Sequence, residues 1–143
     1  MGNNLFSLVE KEFRDFSYHL HKLETLVAKR DSLSIVRSSS DFSERVDTGG
    51  RASCPTEFWY EEHEFLDEQI ARHRLHVIPI QKLLDYLEES RPEYVELFHL
   101  RYRERRSWPA VEEALSISRP TRDRMRKEIV LTGARFCGFL SDF

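Results

Sequence analysis

Arginine dominates the chemistry open to this sequence. From Arg101 to Lys127 nine Lys and Arg stand against four Asp and Glu, a local balance of +5. Elsewhere acid prevails: residues 1–90 carry 11 Lys and Arg against 17 Asp and Glu, residues 91–143 carry 11 against 8, and −6 with +3 makes the formal net charge of −3. A cationic stretch on an otherwise acidic chain fits a polyanion, because the surrounding acid suppresses non-specific adhesion. Guanidinium suits that partner, since its planar fork meets a phosphate or a guanine edge through two hydrogen bonds.

Other candidate chemistry is weaker. Glu61, Glu62, His63 and Glu64 are adjacent on a helix, so they do not converge on one reacting atom and read as a solvated face. Cys137 lies between Phe136 and Phe139 with no base partner evident in the sequence, which reads as packing. His19, His21, His73 and His76 lack the carboxylate or cysteine companions of a metal site. We therefore expect no enzyme, no catalytic residue, no metal and no cofactor.

Three devices of one kind position the arginines: Ser90-Arg91-Pro92, Ser107-Trp108-Pro109 and Ser118-Arg119-Pro120. In each the serine hydroxyl can cap an orphan backbone N–H, and proline sits in a first turn where its missing donor costs nothing. Glu93 completes a capping box with Ser90. Three helices follow, at about 91–103, 107–115 and 119–131. Leu115-Ser116-Ile117 leaves room only for a tight junction between the last two, which is helix-turn-helix spacing. Val95, Phe98, Tyr102, Trp108, Val111, Leu115, Ile117, Met125 and Ile129 are spaced to form the small core. With the final helix in a major groove, Arg119, Arg122, Asp123 and Arg126 are the candidates for reading bases. Arg103, Arg105, Arg106, Ser107, Ser118, Thr121, Arg124 and Lys127 are the candidates for phosphate contact.

The first 90 residues carry two heptad seams. Val9, Phe13, Phe16, Leu20, Leu23 and Val27 are 4, 3, 4, 3 and 4 apart, and Leu66, Ile70, His73, Val77, Ile80, Leu84 and Leu87 continue the same alternation. This spacing predicts two long helices paired as a hairpin or between chains, with a kink or break at Pro79. The segment 32–56, with its serines and Asp47-Thr48-Gly49-Gly50, reads as a flexible linker. The predicted fold is all-α: residues 1–90 form a helical oligomerisation region and residues 91–143 a small helix-turn-helix domain. With only 5 Gly and 5 Pro the composition agrees. No run approaches the roughly 20 apolar residues of a membrane span, and Met1–Val9 lacks the pattern of a signal peptide, so a cytoplasmic protein is expected.

The segments Leu97-Phe98-His99-Leu100-Arg101-Tyr102, Ser107-Trp108 and Leu115-Ser116-Ile117-Ser118-Arg119-Pro120-Thr121 resemble region four of bacterial sigma factors. They resemble more closely the RinA/ArpU-type transcriptional regulators of bacteriophages, which share two N-terminal helices and an Asp-Thr-Gly-like connector. That resemblance implies a sequence-specific activator of phage or prophage genes in a bacterial host cytoplasm. Its implied partners are double-stranded DNA, host RNA polymerase and a second copy of the chain, a dimer being favoured. A DNA-packaging protein such as a small terminase subunit is the alternative, since it also joins such a motif to oligomerising helices. Two positions depart from the pattern. Ser116 stands where such turns place Gly, and Arg122 stands near the inward face where a small apolar residue is usual, so it must either rotate the helix or reach out to phosphate.

Overall fold

The computed structural model describes residues 2–43 and 54–140. Among them every regular element is helical: α1 is Gly2–Ser43, α2 is Cys54–Ser90, α3 is Pro92–Phe98, α4 is Trp108–Leu115 and α5 is Arg119–Phe136. A π turn, His99–Arg103, continues α3. No helix among the described residues is long and apolar enough to cross a membrane.

The segment expected as a linker, 32–56, is helical at both of its ends. α1 runs through Ser43 and α2 starts at Cys54, so only residues 44–53 are left, and they lie outside the described residues. No Gly or Pro occurs from Ser32 to Thr48. The serines there lower helix propensity by only about half a kcal/mol each, too little to stop a helix already propagating. Pro79 likewise does not interrupt α2. Its penalty, about 3 kcal/mol, is set against the neighbouring Val77, Ile80 and Leu83, which are all but fully buried at about 1.5–3 kcal/mol each.

The chain divides into two compact units, Met1–His19 with His76–Phe143, and Leu20–Leu75. This differs from a boundary at residue 90, because the ends of α1 and α2 belong with the three C-terminal helices. In the first unit Phe13 packs edge-on against Phe98 at 5.1 Å and Tyr102 at 5.0 Å, and Phe98 meets Phe16 at 6.2 Å. Val111, Ile129 and Val130 are fully buried in the same unit. Gly133 lets α5 approach closely: a Cβ there would stand 2.4 Å from Phe13 Cζ and 3.3 Å from Leu83 Cδ2. That approach explains why Leu83 is fully buried while Leu84, the residue expected on the seam, is half-buried. α2 has to face α5 as well as α1. In the second unit Leu66 and Ile70 are buried, and Leu20, Leu23 and Val27 are half-buried.

Candidate nucleic-acid interface

Two of the three serine devices cap helices. Ser107 and Ser118 have extended backbones and accept, over a long 3.4 Å, from Ala110 N and Thr121 N. The Ser118 hydroxyl also donates to Thr121 Oγ1 at 3.0 Å. The first device behaves otherwise. Ser90 closes α2 by donating to the Tyr86 carbonyl at 2.7 Å, and Arg91 takes the cap position of α3 with no side-chain cap bond. The turn between α4 and α5 is closed by Ile117 N donating to Glu112 O (3.0 Å) and Ser116 N to Glu113 O (3.2 Å). This pair of bonds requires a left-handed residue, and Ser116 supplies it at φ 55°, ψ 47°. Ser116 therefore tolerates the positive φ that glycine adopts without strain.

Arg122 and Arg126, expected among the base readers, are both engaged by other side chains of the chain. Arg122 is 8% exposed, with Cζ 4.8 Å from the centre of the Trp108 ring. Its Nε lies 3.1 Å from Asp123 Oδ1 but off the hydrogen-bonding axis, so the attraction is coulombic. The guanidinium is accommodated inside by stacking on indole. Arg126 donates to both oxygens of the buried Glu10, at 2.7 and 3.0 Å. Tyr102 donates to the same carboxylate at 2.6 Å. Burial pushes the Glu10 carboxyl up, but the hydrogen bonds from Arg126 and Tyr102 and the charges of Arg126 and Arg14 together hold it below its ordinary value. Arg101 completes the group, 4.5 Å over Trp108 and donating to the Arg106 carbonyl at 2.9 Å. Tyr94 is tied inward to Glu128, and burial followed by that carboxylate pushes its hydroxyl up to about 12.

The remaining candidates stay at the surface. Along α5, Arg119, Asp123, Arg124 and Lys127 are exposed, a stripe at i, i+4, i+5 and i+8, and Thr121 is half-buried. Before α4, Arg103, Arg105, Arg106 and Ser107 are exposed. Arg103 leans over Phe16 at 5.5 Å and donates to Ser17 Oγ, and Arg106 pairs with Glu104 at 3.0 Å. Arg105, Arg119, Arg124 and Lys127 make no ion pair or hydrogen bond among the described residues. The π turn sets up this run: Glu104 N bonds His99 O and Arg106 N bonds Leu100 O, with Arg105 at φ 57° between them. Sequence reasoning missed Glu10, whose only signal was its place beside Val9 on the seam, and the anchoring role of Trp108.

The other candidate groups are also placed. His76 Nδ1 lies 3.0 Å from Glu12 Oε2 and stacks on His19 at 4.1 Å, so His76 does have a carboxylate companion. Among the described residues no group of three or more His, Cys, Asp or Glu is arranged to hold a metal ion. Burial, then the charge of Glu12, push the Cys137 thiol up to about 11. Compared with protein-family models, with curated proteins and with solved structures, the chain matches none.

Proposed function

We propose that the chain is a sequence-specific DNA-binding regulator, with α4, its turn and α5 acting as a helix-turn-helix of sigma-factor type. The observation that carries this reading is the exposed stripe Arg119, Asp123, Arg124 and Lys127 on α5, beside the unpaired Arg105 before α4. Ion pairs and stacking account for Arg122 and Arg126, so the residues free to meet DNA are fewer than the charge count implies. Arg119, in the first turn of α5, takes the base-reading role, and Asp123, four residues on, accepts from a cytosine amino group or orients it. Arg103, Arg105, Arg106, Ser107, Arg124 and Lys127 take phosphates. The resemblance of Leu97–Ile129 to RinA/ArpU-type regulators supports a promoter as the target and activation as the outcome. The reading assigns the chain no chemistry.

The test is a footprint on the DNA flanking the chain's own gene, followed by titration of the protected duplex and a random one. The intact protein should prefer the protected sequence. Arg119→Ala should cut that preference by about 1–3 kcal/mol, the value of one bidentate base contact. An unchanged ratio of specific to random affinity rules out α5 as the base reader. Absence of binding to any duplex at moderate salt overturns the DNA reading itself.

A further inference from the structure

A buried guanidinium without hydrogen bonds is costly unless a counter-charge stands beside it. Arg122 is in that position. Its side chain is 9% exposed, its Cζ lies over the half-buried Trp108, and its Nε is buried with no hydrogen-bond partner. The buried acid of the same unit is taken, since Glu10 is engaged by Arg126 and Tyr102, and Glu128 is engaged by Tyr94. The one ion-pair contact of Arg122 among the described residues is Asp123, whose Oδ1 stands 3.1 Å from the Nε.

Asp123 is held from one side only. Its side chain is 57% exposed, Oδ1 lies toward Arg122, and Oδ2 has no partner among the described residues. It is also the one exposed acid of α5, set on the same stripe as Arg119, Arg124 and Lys127. Arg119 stands four residues earlier, yet the two form no ion pair, so the carboxylate is committed to Arg122 and not to orienting Arg119. A carboxylate on a helix in a major groove is repelled by the phosphates on either side. It gains there only at a base edge that donates a hydrogen bond.

Resting on the DNA-binding reading above, we infer that Asp123 selects a cytosine, that Arg122 positions its carboxylate from behind, and that Trp108 is the seat on which Arg122 is fixed. Cytosine N4 is a donor in the major groove. Guanine O6 and N7 and thymine O4 are acceptors that repel a carboxylate, and adenine sets the acceptor N7 beside its amino group. Arg119 and Asp123 are one turn apart, about 6 Å along α5, against about 3.4 Å for each base-pair step. The recognised sequence therefore holds a guanine for Arg119 and a cytosine one or two pairs from it. Arg122 meets no base itself. An exposed Asp divides its time among staggered rotamers, and a guanidinium locked on indole favours the one that keeps Oδ1 inward and leaves Oδ2 for the base.

The experiment is selection by the full chain from a library of randomised duplexes, followed by titration of the selected duplex with one base pair changed at a time. The parent should enrich a guanine with a cytosine one or two pairs away, and exchanging that C·G pair for T·A should weaken binding about tenfold. Asp123→Ala should abolish the cytosine preference and keep the guanine preference. Asp123→Asn should move the preference to adenine, whose N6 and N7 an amide meets through two bonds. Arg122→Met should lower the cytosine preference about threefold or more with the guanine preference kept, and should change nothing further in the Asp123→Ala background. Should Arg122→Met fail to fold, Arg122→Lys, which keeps the charge but not the Nε beside Asp123, should still lower the cytosine preference. A selected sequence without that cytosine, or one that Asp123→Ala leaves unchanged, overturns the inference and leaves the DNA reading standing. So does an Arg122 variant that weakens all duplexes alike, as a merely structural residue would. Enrichment of no duplex at all overturns the DNA reading, and this inference with it.

Discussion

Replacing Arg126 by Ala separates a clasp from a base reader. Arg126 makes a two-pronged bond to Glu10, at 2.7 and 3.0 Å, and its Cζ stands 5.7 Å from the centres of the Phe6 and Trp108 rings. Removing one partner of a fully buried ion pair costs about 3–5 kcal/mol, and of a surface pair about 0–1. Glu10 is 7% exposed and the Arg126 side chain 34%, and Tyr102 still donates to the carboxylate after the change. Discounted for that exposure, the loss should be about 2 kcal/mol. With an m-value of about 1.5 kcal/mol per molar, the urea midpoint falls by a little over 1 M. A double-mutant cycle with Glu10→Gln should return a coupling of about 1–2 kcal/mol. The pH dependence follows from the depressed Glu10 carboxyl. Its contribution is complete above the unfolded-chain value of about 4.3 and disappears as pH falls through the lower folded value, so parent and variant should converge in acid. The ratio of specific to random DNA affinity should not change. An unaltered urea midpoint at neutral pH together with lost DNA discrimination would refute the clasp and restore Arg126 to the groove.

The other expectations concern the turn, the close approach of α5 and the phosphate contacts. Ser116→Gly should stabilise the chain by about 0.5 kcal/mol, since it removes a left-handed penalty of about 1–2 kcal/mol at some cost in unfolded-chain entropy; chemical denaturation measures it, and a loss of stability contradicts the observed φ of 55°. Gly133→Ala should destabilise by about 1–2 kcal/mol although alanine favours helix by about 1, because the new Cβ falls 2.4 Å from the buried Phe13 ring; a higher melting temperature disproves the close approach. Arg105→Ala and Lys127→Ala should each weaken binding to every duplex alike and reduce the salt slope by about one unit, read from affinity against salt concentration.

Much of the fold is legible because its signals are local. The 4-3 spacing finds Val9, Phe13, Phe16, Val77 and Ile80, all buried, and the Ser-x-Pro devices place the starts of α4 and α5. Legibility fails where a segment's partner decides. Leu83 displaces Leu84 because α5 brings Gly133 against α2, and no repeat within α2 encodes the position of α5. The segment after Ser32 looked like a linker because its serines suit loops, yet helix termination needs a strong breaker, and none precedes Gly49.

The arginines fail for a related reason, which bears on how any cationic helix is read. Arg122 and Arg126 are four residues apart and flank Met125, so they lie on the side of α5 that Ile129 and Gly133 continue into the core. A hydropathy pattern places charge outside by default, but guanidinium is weakly hydrated and flat, and one indole can cover several. Trp108 covers Arg101 and Arg122 within 5 Å, and Glu10, from α1, neutralises Arg126. Counting charge along the helix therefore overstates what reaches a ligand. The useful count subtracts every arginine that has an aromatic face and a carboxylate within reach in three dimensions. Over the first ten residues of α5 that leaves Arg119, Arg124 and Lys127, which is why the proposal puts base reading on the first turn of the helix and not on its middle.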